Sequence, residues 1–462
     1  MSRSSETDPA FRGLIGVGRR DMTPEVGIYN HNWGSARHEL AESIHKPLFA
    51  SAIALRAAPD ARPLILATID YCWFHYYRTF ENLRRPILKR LGLEPEQLLL
   101  IVTHSHAVPH MDPELESKPG GDKIPAYRAK IVQALNDAID TALATQQPAI
   151  LTWGRGSCSL ARKRDYLDPE SGRILGGPNP DGVADGTLLV GRITAEGSGS
   201  ILATLVNYAC HPVSLGGGNR SISPDYIGAM RERVQAETAN APCLFLHGPS
   251  GDQTPRDCYS ADPAVADANG EIVGLAALST LRAMLPPAQR LEFVRQESSG
   301  APLAVWEHRP YSVDGIADAA VEYLQLPAKD WPSLEHIDAQ LRDEQDLAAR
   351  TRLTRLREFM QNFHDGLGRG FPVWVMRLGQ SFIVGTPAEP FTDLQIELRK
   401  RFPQLAIAVT NDTNGSFNYL PPKHYYGNGS YEQDCSDYGP GGLEIVIAAA
   451  GRMIEQMLRK SA

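Results

Sequence analysis

Paired cysteines are absent. The six cysteines, Cys72, Cys158, Cys210, Cys243, Cys258 and Cys435, form no C-x-x-C pair. That argues against a zinc ribbon or a thioredoxin-type site and leaves most of them as reduced core thiols. Long apolar runs are also missing, and none reaches the roughly 20 residues that a helix needs to cross a bilayer. The N-terminus, Met1-Ser2-Arg3-Ser4-Ser5-Glu6-Thr7-Asp8, lacks the apolar centre of a secretory signal, so the expected location is cytoplasmic. Basic charge is scarce: 46 Lys and Arg against 54 Asp and Glu give a net charge of -8. That balance argues against a nucleic-acid partner. H-E-x-x-H and P-loop motifs do not occur. The nearest approach to a G-x-S-x-G elbow is Gly248-Pro249-Ser250-Gly251-Asp252, which lacks the second glycine in register and has proline before the serine.

What is present is an ordinary globular composition, 42% hydrophobic and 22% charged, in which strand-like runs alternate with helical patterns. Strands are expected over Pro63 to Asp70, Leu98 to Val102, Ile201 to Ala209, Cys243 to His247 and Leu405 to Thr410. Helices are expected around Phe80 to Leu91, Ala126 to Ala144, Gly228 to Ala239, Ala264 to Met284 and Glu444 to Leu458. Glu292 to Trp306 has the period of edge strands, and Phe371 to Gly385 reads as a hairpin turning at Gly379-Gln380. The stretch at about 333–361 is highly charged and helical, a candidate peripheral element. No internal repeat or Gly/Ser linker divides the chain. The alternation predicts an α/β fold, with layered mixed sheets and flanking helices in one large catalytic domain over 1–462.

Polar residues gather where the apolar runs end. Leu98 to Val102 leads into Thr103-His104-Ser105-His106, and Ile201 to Ala209 into Cys210-His211-Pro212. Cys243 to His247 leads into Gly248 to Arg256, with Thr254 in it, the hairpin into Pro387-Ala388-Glu389, and Leu405 to Thr410 into Asn411 to Tyr419, with Tyr419 at its end. Loops at strand ends are where such folds concentrate function. If the chain stays extended past Val102, His104 and His106 face the same way, and two converging imidazoles suit zinc and its neighbours. Each residue also has an ordinary reading. A strand-end histidine is commonly a hydrogen-bonded filler, a glutamate is commonly solvated, a buried tyrosine packs, and Thr254 shapes a turn. Taken jointly, the segments point to metal-assisted hydrolysis.

In order along the chain, these segments resemble the N-terminal catalytic domain of the neutral/alkaline, non-lysosomal ceramidases. These are zinc amidases that split the N-acyl bond of ceramide. Gly16-Val17-Gly18-Arg19-Arg20-Asp21-Met22-Thr23 resembles the family's opening G-x-G-x-x-D-x-T, and Thr103-His104-Ser105-His106 its T-H-T-H. His211-Pro212-Val213-Ser214 with Ser223-Pro224-Asp225-Tyr226-Ile227-Gly228 resembles its H-P-x-S and S-D-x-x-G pair. Gly251 to Arg256 resembles G-D-V-S-P-N, Pro387 to Thr392 resembles P-G-E-F-T, and Asn414 to Tyr426 with Tyr438-Gly439-Pro440 resembles the C-terminal tyrosine motifs. The family's zinc ligands then fall on His104, His211, Glu389 and Tyr419. His106 matches the histidine that faces the substrate. The active-site arginine falls on Arg162, with Arg164 competing, and Thr254 stands where the family has serine. Other departures are Arg256 for asparagine, Ala388 for glycine, an inserted Pro390, and no C-terminal immunoglobulin-like domain before the last residue, Ala462.

The resemblance implies a Zn2+ hydrolase acting on a small-molecule N-acyl substrate. Arg162, Arg164 and Arg256 favour a substrate smaller or more polar than ceramide. His106 and Tyr419 are the candidates to stabilise the oxyanion and His106 to protonate the leaving amine, while Arg162 and Thr254 orient the substrate. A metal-dependent esterase on the same site and a non-catalytic ligand-binding descendant are the alternatives, and retention of every ligand-type residue argues against the second. No integral membrane segment is expected, and the oligomeric state is left open.

Overall fold

In the strand Leu98–Val102 every residue is buried, yet the two faces go to different cores. Leu98, Leu100 and Val102 pack with helical residues such as Ile131 and Leu135. Leu99 and Ile101 pack with Trp374, Met376 and Ile383. A strand buried on both faces implies layers on both sides of its sheet. The computed structural model describes residues 5–460 except 330, 347–348, 355, 358–359 and 361–369.

The larger sheet has eight strands: β1 (Ala10–Asp21), β2 (Phe49–Arg56), β3 (Leu64–Ile69), β4 (Leu98–Val102), β5 (Gln147–Ser157), β6 (Thr187–Ala195), β7 (Ile201–Tyr208) and β8 (Cys243–His247). Their spatial order is β8-β7-β6-β5-β1-β2-β3-β4. The outer pairs β3/β4 and β7/β8 are parallel, and the strands between them pair antiparallel. A second sheet orders β9 (Ala317–Leu324), β10 (Phe371–Leu378), β11 (Ser381–Gly385) and β12 (Ala406–Thr410), with β11 and β12 parallel.

Helices Tyr77–Leu91 and Ile124–Ala144 cover one part of the outer face of the larger sheet, and Tyr226–Ala236 with Pro263–Ala283 cover the other. Its inner face packs on the second sheet. The far face of that second sheet is covered by Asp393–Arg401 and Gly442–Arg459. The result is a helix–sheet–sheet–helix sandwich, the layered mixed-sheet α/β class expected from the alternation of elements. The hairpin at Gly379-Gln380 forms as expected, with Leu378 paired to Ser381.

Strands β1, β2, β5 and β6 do not stand out in the sequence, and for β1 and β5 glycine is the reason. Gly16 and Gly18 in β1 lie under the helix Ile124–Ala144, where a Cβ would collide with the carbonyls of Ala142 and Ala138. Gly154 and Gly156 in β5 likewise leave no room for a Cβ, which would collide with the side chains of Met284 and Thr280. The glycines weaken the alternating hydrophobic signal and are what let the helices approach the sheet. The Glu292 to Trp306 expectation resolves into a largely solvated hairpin, Gln289–Ser298 with Pro302–Pro310, edged by Ser5–Glu6. Of the charged stretch at 333–361, Leu334–Asp343 and residues 349–354 are helical. Residues 356, 357 and 360 are helical as well, and 347–348, 355, 358–359 and 361 lie outside the described residues. No helix among the described residues is long and apolar enough to cross a membrane.

Candidate metal centre

β4 stops at Val102 and the chain does not run on extended. Thr103 N donates to Ile69 O at 3.1 Å and His104 N to Tyr71 O at 2.8 Å. These bonds tie the segment to the loop after the parallel strand β3, and His104 takes the left-handed φ of +66°, uncommon for a non-glycine residue. The extended T-H-S-H geometry expected from the sequence is therefore corrected. The two rings still come close, with centroids 5.1 Å apart and planes at 69°. His211 follows β7 and is held by its N–H on Gln253 O at 3.2 Å. Glu389 and Tyr419 come from the other sheet, past β11 and β12, and sit side by side in a short parallel pairing. Two parallel strand ends from each sheet thus aim at one place.

There, His104 Nε2 and His211 Nε2 are 3.1 Å apart. Glu389 Oε2 is 3.6 Å from the first and 3.7 Å from the second. Ligands on a tetrahedral zinc-sized ion, with bonds of about 2.0–2.1 Å, are separated by roughly 3.3 Å. The Tyr419 hydroxyl hydrogen-bonds the Glu389 carboxylate. Glu389 Oε2 itself is buried with no hydrogen-bond partner among the described residues, an uncompensated acceptor that a cation satisfies. The donor set fits a divalent transition metal.

The electrostatics agree. Burial, Arg164 and the neighbouring imidazoles His104, His106 and His247 hold His211 well below the usual range, so it is neutral and keeps a lone pair. Burial pushes His104 down, but Glu389 and Asp412 outweigh it and the net direction is up. Burial raises Glu389 to about 7, opposed by His104 and Arg164 and reinforced by Asp412. Burial likewise lifts Tyr419 well above its ordinary value, with Arg164 pulling the other way.

Of the competing arginines, Arg164 is the one at this cluster. Its Nη1 lies 3.3 Å from both His211 Nδ1 and the Tyr419 hydroxyl, and its Nε pairs with the buried Glu432 at 3.0 Å. Arg162 is turned away, with Nη1 donating to Ser159 O and Ala161 O, both at 2.8 Å. The assignment of Arg162 is corrected to Arg164. The cause is a tertiary pairing: Ala161–Lys163 pair with Gln253–Pro255 and the pairing ends before Arg164, whose N–H turns to Asp252 O. Thr254 is fully buried in that pairing. Its hydroxyl is close to Cys258 and Tyr259, and it does not line the cavity. It supports Tyr259, which does.

His106 is half-buried in the cavity wall, its ring 4.9 Å from Trp33 and 5.1 Å from Trp73. Its donor atoms are also within 4.8 Å of those of His104 and His211. The cavity holds about 700 Å3 and is walled by Trp33, Trp73, Phe74, Tyr259, Trp331 and Phe417, with the cluster at its floor. A neighbouring hollow of about 760 Å3 shares Trp33, Arg164, Tyr259 and Tyr431 and is otherwise polar, with Arg37, His38 and Arg220 on its wall.

Sequence reasoning overlooked two members. Asp412 Oδ2 is 2.7 Å from His104 Nδ1, and both residues have left-handed backbones. His247, the last residue of β8, stacks on His104 with centroids 5.3 Å apart, and its Nε2 is 2.8 Å from Ser250 Oγ. Their only sequence signal was a polar residue at a strand end, which many residues share.

No protein-family profile matches the chain, and no curated protein matches it. Solved structures do. Neutral ceramidase from Pseudomonas aeruginosa is 17% identical and superposes with a TM-score of 0.70 over 97% of this chain and 75% of its own. A ceramidase complexed with C2 is 15% identical, with a TM-score of 0.68 over 97% of this chain and 76% of its own. The chain has the ceramidase fold.

Proposed function

We propose that this chain is a zinc-dependent hydrolase that cleaves an N-acyl amide bond in a substrate smaller or more polar than ceramide. The observation that carries the reading is the convergence of His104, His211 and Glu389 at ligand spacing, with Tyr419 paired beside Glu389, in the lining of an aromatic cavity. A zinc ion held by these residues supplies Lewis acidity, polarising a carbonyl and making water acidic near neutral pH. The rest falls to the protein. Asp412, with Oδ2 2.7 Å from His104 Nδ1, favours the tautomer that carries its proton on Nδ1 and leaves the Nε2 lone pair free for a metal. Arg164 and the Tyr419 hydroxyl offer a cation and an O–H where negative charge grows on the carbonyl oxygen. His106, at the cavity wall, gives a proton to the leaving nitrogen, as imidazoles do near neutral pH. The cavity volume of about 700 Å3 suits a compact acyl amide, and the cationic hollow beside it suits a polar or anionic group on that substrate.

The test is metal content together with a substrate screen. Purified protein should carry at least one tightly bound zinc, lose hydrolysis on chelation and regain it with zinc. N-acyl amino acids should be cleaved in preference to short-chain ceramides. Absence of tight transition metal with no gain on adding zinc would sink the reading, and cleavage of O-acyl esters but not matched amides would turn it into an esterase.

Two variants separate roles. His106→Gln should keep its metal and lose about 10^2–10^4-fold in kcat; loss of metal instead would make His106 a ligand. Asp412→Asn should weaken metal affinity roughly 10–100-fold, read by competition with a chelating dye. Wild-type affinity in that variant would remove Asp412 from the support.

A further inference from the structure

A second group of ligand-type side chains lies beside the first, with Trp73 in contact with both. His75 is in the loop after β3, and His110 and Asp112 are in the loop after β4. Their donor atoms all lie within 4.8 Å of one another. His110 and Asp112 are fully buried, His75 is half-buried, and the two imidazole rings are 4.2 Å apart between centroids. The Trp73 indole stacks flat on His75, planes 2° apart, meets His110 edge-on at 5.2 Å and also contacts His106 at 5.1 Å. It touches both groups, which share no residue.

We propose that His75, His110 and Asp112 form a second site for a divalent transition metal. Thr79 Oγ1 donates to Asp112 Oδ1 at 2.8 Å. The other carboxylate oxygen, Oδ2, lies 3.9 Å from His110 Nδ1. That separation is too long for a hydrogen bond between them and closer to the spacing of roughly 3.3 Å between two ligands of one zinc-sized ion. Two imidazoles and a carboxylate suit zinc or cobalt. The backbone between the two ligands is already fixed: Met111 N donates to the Tyr71 hydroxyl at 2.8 Å, and Arg128 Nη1 donates to Met111 O at 2.9 Å. His75 lines the cavity, so an ion has a way in. A metal here clamps the loop after β4, which carries His104 and His106, to the loop after β3, whose Tyr71 O holds the His104 backbone. The inference rests on this cluster alone, not on the hydrolase reading.

Metal counting decides it. Protein stripped with a chelator is loaded with Co2+ or Zn2+, freed of excess and measured for metal per chain. Wild type should hold two ions, His104→Ala one, His110→Ala one, and the double variant none; in the Co2+ form, His104→Ala should keep a visible d–d spectrum. One ion in wild type and none in His104→Ala would overturn the second site and leave the first standing. One ion in wild type, kept by His104→Ala and lost by His110→Ala, would support this site and overturn the first. If His110→Ala does not fold, His75→Gln replaces it. The His104→Ala count leaves this cluster intact and decides in either case.

Discussion

His211→Ala is expected to lose the ion of the first centre and at least about 10^3-fold in hydrolysis, since Lewis-acid stabilisation is worth several kcal/mol and about 1.4 kcal/mol is a factor of ten. The size of the effect follows from geometry. His211 Nε2 lies 3.1 Å from His104 Nε2 and 3.7 Å from Glu389 Oε2, so it shares the point where all the donors meet. Its removal also leaves Glu389 without one of the partners that offset burying a carboxylate. The alanine variant keeps the β-type contacts of the segment, which run through the backbone N–H to Gln253 O, so the fold should survive. Metal analysis and a progress curve on the same preparation check both halves. A variant that holds full metal at the first centre and turns over normally would remove His211 from it.

Arg231→Leu is expected to cost about 3–5 kcal/mol of stability, the penalty for stranding one charge of a buried pair. Arg231 grips Asp70 with both arms, Nη1 to Oδ2 at 2.6 Å and Nη2 to Oδ1 at 2.8 Å. The side chains are 4% and 0% exposed, so water cannot replace the lost partner. Asp70 also accepts from Phe49 N at 2.8 Å and immediately precedes Tyr71, whose carbonyl holds the backbone of His104. The pair therefore joins the helix Tyr226–Ala236 to the loop that shapes the metal centre. Denaturant melts of Arg231→Leu and of Asp70→Asn/Arg231→Leu test this. The double variant should recover part of the loss, because no bare carboxylate remains. An Arg231→Leu melt within about 0.5 kcal/mol of wild type, the range of ordinary surface changes, would refute it.

Much of the layered fold was legible because apolar runs buried on both faces need no partner to be seen. β4, β7, β8, β10 and β11 and the helices around them were readable on that ground. β1 and β5 were not, since Gly16, Gly18, Gly154 and Gly156 answer to a helix packed against them. The same division holds at the site. His104, His211, Glu389 and Tyr419 are marked by their place after apolar strands and by motif order. Arg162 and Arg164 are two residues apart in one basic run, and only the N–H of Arg164 on Asp252 O and its ion pair with Glu432 tell them apart.

By itself, then, the order of residues determined the layer class and marked the strand ends whose polar residues the structure brings together. Periodicity and composition are properties of single segments, and a single segment suffices to read them. The tertiary structure alone decided which arginine lies against His211 and Tyr419, that His104 turns left-handed onto Tyr71 O and Asp412, and that His75, His110 and Asp112 meet beside Trp73. Those facts depend on backbone groups and side chains from separate strands arriving within a few ångströms of one another, which no local pattern encodes.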